Sequence, residues 1–135
     1  QARFSIPEVD LGMPLAWGGI PRLMREMGPA LVKELVLTCR PFDAVEAKAS
    51  GFLNRVVPEE RLDEEVNTLA GSLASKARYA LFSTKRQVNA IGDQMVGLGH
   101  SWSDADGLVT AFQDEECAEV RRRYMKARGH DSATR

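Results

Sequence analysis

Long apolar runs, an excess of one charge and cysteine are all scarce in this chain. No stretch among its 135 residues approaches membrane-spanning length. Eighteen Lys and Arg face 19 Asp and Glu, giving a formal net charge of −1. No global field therefore draws the chain to nucleic acid or to an anionic membrane. The run Arg121-Arg122-Arg123 lacks aromatic interleaving and a second basic stripe, so no nucleic-acid partner is expected. The two cysteines, Cys39 and Cys117, lie far apart in apolar or helical contexts. Reduced, buried or half-buried thiols are expected there rather than a disulfide. Neither shows ligand spacing with His100 or His130, and no metal site follows. There is no phosphate loop and no dinucleotide fingerprint. Gly99-His100-Ser101-Trp102-Ser103 brushes against a nucleophile-elbow pattern, but it lacks the final glycine and follows no strand.

What is present fits a soluble globular chain of one-domain size, with 44% hydrophobic and 27% charged residues. Gln1 to Glu8 form no export signal, because Pro7-Glu8 arrive before any apolar core could. A cytoplasmic protein is the expectation. Ala2 to Ile6 alternate loosely and then meet Pro7, as at the end of a strand. With no capping residue and no initiating methionine, the chain reads as opening inside a structure, and a preceding segment is expected.

Helical periods dominate the rest. A glycine-rich loop from Gly12 to Gly19 opens a helix carrying Ile20, Leu23, Met24 and Met27. Gly28-Pro29 ends it and starts another, through Leu31, Leu35 and Val36, to about Cys39-Arg40-Pro41. Asp43-x-x-Glu46 predicts a capping box for a short helix stopped at Gly51. Phe52 to Val57 predicts a short strand. Helices are expected from Leu62 to Lys76, with Leu62, Val66, Leu69, Ala70 and Leu73 on one face, and from Tyr79 to Ile91. Gly92, Gly97 and Gly99 should loosen the next stretch. Ser101 or Ser103 should cap a helix through Leu108 and Phe112. A charged helix from Glu115 to Arg128 and a frayed tail, Gly129 to Arg135, complete the pattern. Strands this short cannot form an independent sheet, so other chain is expected to supply one.

The run Ala2-Arg3-Phe4-Ser5-Ile6-Pro7-Glu8-Val9-Asp10-Leu11-Gly12 resembles the crotonase-family segment A-x-F-x-x-P-E-x-x-L-G. Pro14, Gly18-Gly19, Arg22-Leu23 and Gly28 continue in that fashion, then Lys33 to Thr38. Asp43-Ala44-x-Glu46-Ala47 with Gly51 to Pro58 resembles the family's E-A-x-x-x-G-L-V-N-x-V-x-P, and Lys85 with Val88-Asn89-Ala90 its K-x-x-V-N-A helix. Order and spacing carry the resemblance, since no piece is specific alone. The chain is thus similar to the C-terminal half of the enoyl-CoA hydratase/isomerase (crotonase) family. The resemblance implies an α/β class: the C-terminal, mostly helical half of a ClpP-like spiral ββα fold. Residues 1–135 would be one partial domain, with 1–99 the second half of the core and 100–135 the C-terminal helices.

The resemblance also implies chemistry. Family enzymes work through an enolate of an acyl-CoA thioester, which needs oxyanion donors and a carboxyl group that moves a proton at the carbon beside the thioester. Glu8 matches the second catalytic glutamate; a solvated loop acid is the plain alternative. The oxyanion donors and the other glutamate belong to the family's earlier half. Met13, Leu15, Ala16 and Trp17 would line the acyl pocket, where short-chain hydratases carry G-A-G-G. Trp17 would reshape that pocket, or else sit as a core residue under the helix. Tyr124 and Lys126 match residues that reach the coenzyme A of a neighbouring subunit, against a plain reading as a solvated helical face. No cofactor is implied beyond the coenzyme A of the substrate, and no metal. The implied partners are an acyl-CoA thioester and copies of the chain, in a homotrimer or hexamer joined near Phe112 to Arg128. A non-catalytic oligomerisation or binding module is the competing reading.

Overall fold

The computed structural model describes residues 2–101 and 103–129. The expected strand end is β1, Arg3–Phe4. After the glycine-rich loop come α1, Gly19–Met27, and α2, Pro29–Thr38, with Pro29 in the first turn of α2. β2, Phe42–Asp43, pairs antiparallel with β1, Arg3 opposite Asp43 and Phe4 opposite Phe42. α3, Ala44–Ala49, follows at once. A 3-10 turn, Glu59–Arg61, leads into α4, Leu62–Ala74, and then α5, Arg78–Met95. A second 3-10 turn, Leu98–Ser101, precedes α6, Asp104–Gln113, and α7, Glu115–Ala127. The structure is mostly helical with one small sheet.

Apolar spacing explains the core. Val32, Leu35 and Val36 of α2 lie on one face and are buried with Met27, Phe42 and Ala47. The β1–β2 pair adds an aromatic corner. Phe4 stacks on Phe42 with ring centroids 5.3 Å apart, and Phe52 meets both rings edge-on. α1 packs on α2, α6 packs on α7, and the second 3-10 turn rests on α1.

Several expectations change. Phe52 to Val57 forms no strand; Phe52 and Leu53 instead pack against the core, and a ladder needs a partner strand that no described segment offers. Gly92 lies inside α5, which runs a turn further than expected. Ser103 sits at the α6 cap position without a side-chain cap bond. Only half of the capping box forms: Asp43 accepts from the N–H groups of Val45 and Glu46, both at 2.9 Å, while the Glu46 carboxylate turns to Arg40. The tail beyond Gly129 lies outside the described residues. α4 and α5 bury no residue, so the apolar face that the spacing puts on α4 stays open.

Candidate active site

Glu8 stands at the head of a tight turn that its own backbone closes. Its carbonyl accepts from the N–H groups of Leu11 (3.0 Å) and Met13 (2.9 Å), and Gly12 N–H donates to Val9 (2.9 Å). Asp10 N–H donates to the buried Cys39 thiol at 3.4 Å. Gly12 has φ 66°, the left-handed region that glycine enters without penalty. The backbone of α7 presses on it, and a Cβ here would overlap the carbonyl oxygen of Cys117. The turn is thus held between α2 and α7.

The Glu8 side chain is half-buried. Its Oε2 is shielded from solvent and has no hydrogen-bond partner among the described residues. Buried polar atoms are nearly always paired, so this oxygen is open to a group that the described residues do not supply. Arg121 Nε, on α7, is the second such atom. The Arg121 guanidinium lies 4.3 Å from the centroid of the Phe112 ring, and its Nη2 reaches the carbonyls of Ala111 (3.3 Å) and Gly12 (3.5 Å).

The rest of the loop divides by direction. Leu15 packs toward the core and Ala16 is buried, while Met13 is half-buried. Trp17 points outward, 66% exposed. This excludes it as a core residue under α1. Its backbone is left-handed, φ 59°. Arg22 Nη1 donates to the Trp17 carbonyl at 2.8 Å, and Gly18 N–H donates to Asp104 Oδ2 at 2.9 Å. Tyr124 is half-buried and Lys126 exposed. Tyr124 lines a shallow groove of about 310 Å³ with Val9, Asp10, Val120 and Arg123, so the Glu8 turn and Tyr124 share one surface. The Arg128 guanidinium lies 4.6 Å from the centre of the Tyr124 ring.

At the head of α7, Asp114 accepts from Cys117 N–H at 2.8 Å. That backbone bond holds the Asp114 carboxyl below its usual range, and Asp114 together with burial pushes the Cys117 thiol up. Among the described residues no three His, Cys, Asp or Glu side chains converge, and no described helix is long and apolar enough to cross a membrane. Cys39, Asp104, Cys117 and Arg121 all brace the loop, and none carried a local signal. Asp104 lies 86 positions from Gly18 and Arg121 lies 109 from Gly12.

A half-buried carboxylate with one unpaired oxygen, on a braced glycine-rich loop, defines a site suited to proton transfer. A family model described as Enoyl-CoA hydratase/isomerase matches residues 1–131. The short-chain-enoyl-CoA hydratase of Clostridioides difficile is 41% identical, over 86% of this chain and 76% of that protein. The crotonyl-CoA hydratase of Syntrophomonas wolfei is 37% identical over 86% of this chain and 45% of its own length. A Streptomyces avermitilis protein assigned as an enoyl-CoA hydratase superposes with a TM-score of 0.83 at 30% identity, covering all of this chain and 48% of that one. The chain belongs to the enoyl-CoA hydratase/isomerase family, a family of enzymes acting on acyl-CoA. It spans about half the length, or less, of most curated relatives it matches.

Proposed function

We propose that the native protein is an enoyl-CoA hydratase or isomerase acting on an acyl-CoA thioester through an enolate-type intermediate. Glu8 is the group that delivers or removes the proton on the carbon next to the thioester. The observation that carries this reading is the Glu8 Oε2, shielded from solvent and unpaired among the described residues. An unpaired carboxylate oxygen keeps its lone pairs available to a substrate proton. The order of the motifs from Ala2 to Ala90 supports assigning the chain to the later half of the family's domain. On that assignment the oxyanion donors come from the earlier half.

Met13, Leu15, Ala16 and Trp17 form the acyl side of the site in this reading. Tyr124 and Lys126 face the coenzyme A bound to a neighbouring subunit, on the strength of the resemblance. A homotrimer or hexamer joined along residues 112–128 and a cytoplasmic location complete the proposal.

The test is Glu8→Gln in the native protein. Glutamine keeps the size of the side chain and removes its capacity to exchange a proton. Turnover of enoyl-CoA thioesters, followed by loss or gain of the conjugated enoyl absorbance, should fall by at least about 10²-fold. Far-UV dichroism should be unchanged. Turnover within a few-fold of the unsubstituted protein would remove Glu8 from the mechanism.

A further inference from the structure

The loop between Glu8 and α1 holds a residue in a conformation that its type does not favour. Trp17 has φ 59°, where the Cβ of a bulky residue crowds its own backbone, so an aromatic there is an outlier. Such outliers persist only where the surroundings over-determine them. Two bonds do so. One comes from within α1, where Arg22 Nη1 donates to the Trp17 carbonyl at 2.8 Å. The other comes from the first residue of α6, 86 positions away, where Asp104 Oδ2 accepts from Gly18 N–H at 2.9 Å. The peptide joining Trp17 to Gly18 is therefore gripped at its oxygen and at its nitrogen.

The consequence is an indole held out of the core. Leu15 and Ala16 turn inward on the same loop, yet Trp17 is left 66% exposed. We infer that Asp104 and Arg22 are positioning residues that fix Trp17 as a wall of the acyl site, and that Trp17 so held limits the length of acyl chain accepted. This rests on the enoyl-CoA reading above.

Chain-length selectivity separates this role from a merely structural one. The ratio of kcat/KM for octenoyl-CoA to that for crotonyl-CoA is measured in the native protein and in Trp17→Gly, Asp104→Ala, Asp104→Asn and Arg22→Ala. Glycine accepts the left-handed backbone while removing the wall, so Trp17→Gly should raise the ratio about tenfold. Asp104→Ala and Arg22→Ala, which free the indole, should raise it about threefold. Asparagine retains an oxygen that can accept from Gly18 N–H, so Asp104→Asn should keep the original ratio. Arg22→Ala decides the matter if Asp104→Ala does not fold. An unchanged ratio in Trp17→Gly overturns the specificity role, and a shift there without one in the alanine variants overturns the positioning role. Absence of turnover in the unsubstituted protein, or full turnover in Glu8→Gln, overturns the enzyme reading and this inference with it.

Discussion

Gly12 shows how one residue type ties the Glu8 turn to a distant helix. Its φ of 66° and its contact with the Cys117 carbonyl both exclude a side chain. Gly12→Ala would meet the left-handed penalty and the overlap together. The native protein should lose about 2 kcal/mol or more of stability, read as a lower denaturant midpoint. An unchanged midpoint would mean that α7 does not rest on the turn. Charge acts at the same scale in the Arg40 cluster. Arg40 pairs with Glu34 at 2.6 Å and with Glu46 at 2.5 Å, and its hydrogen bond holds the Glu46 carboxyl below the usual range. A carboxyl depressed by folding stabilises the protein above its unfolded-state value, and that contribution is lost as pH falls through the folded value. The pair is solvent-exposed, so the effect is modest and weakens with salt. Urea midpoints should fall on acidification through and below the ordinary carboxylate range, and less steeply in Arg40→Met. Equal slopes would show that the pair contributes nothing.

At the scale of elements, caps and partners decided what could be read from the sequence. The Asp43 cap was legible because both of its acceptor contacts lie within three residues of it. The Gly28-Pro29 break between α1 and α2 was legible for the same local reason. Phe52 to Val57 failed as a strand because strand propensity describes a fit to a neighbouring strand. β2, which went unseen, exists because Arg3–Phe4 lies opposite it. The candidate site divides likewise. Glu8 announced itself through its local motif, whereas Asp104 and Arg121 reach the loop only through the tertiary fold. The Asp114 cap of α7 also went unseen and can be tested directly. Asp114→Ala removes the acceptor for Cys117 N–H and should lower the melting temperature and the helical signal. Because Cys117 presses on Gly12, turnover should fall too, though by less than in Glu8→Gln. Lost helix with full turnover would separate α7 from the site.

For the whole molecule, the informative feature is where apolar surface remains. Leu62, Val66, Leu69 and Leu73 lie on α4, spaced to share one face, and each is about half exposed, between 46% and 56%. Phe82, Val88 and Ile91 on α5 are exposed between 51% and 63%. The buried core lies elsewhere, around α2 and the aromatic corner. Amphipathic helices draw most of their stability from packing that apolar face rather than from intrinsic propensity. An open stripe of this extent is uncommon on a protein that stands alone. The 135-residue chain isolated by itself should therefore bind a hydrophobic dye, melt over a broad range and lose α4 and α5 to hydrogen exchange before α2. The native protein should show none of the dye binding if its remaining chain, or copies of itself, cover these faces. Light scattering at several concentrations separates those two cases, because cover by copies depends on concentration. A sharp, cooperative melt of the isolated monomer without dye binding would show that α4 and α5 are stable with their apolar faces in water, and that the core around α2 suffices to hold the whole chain.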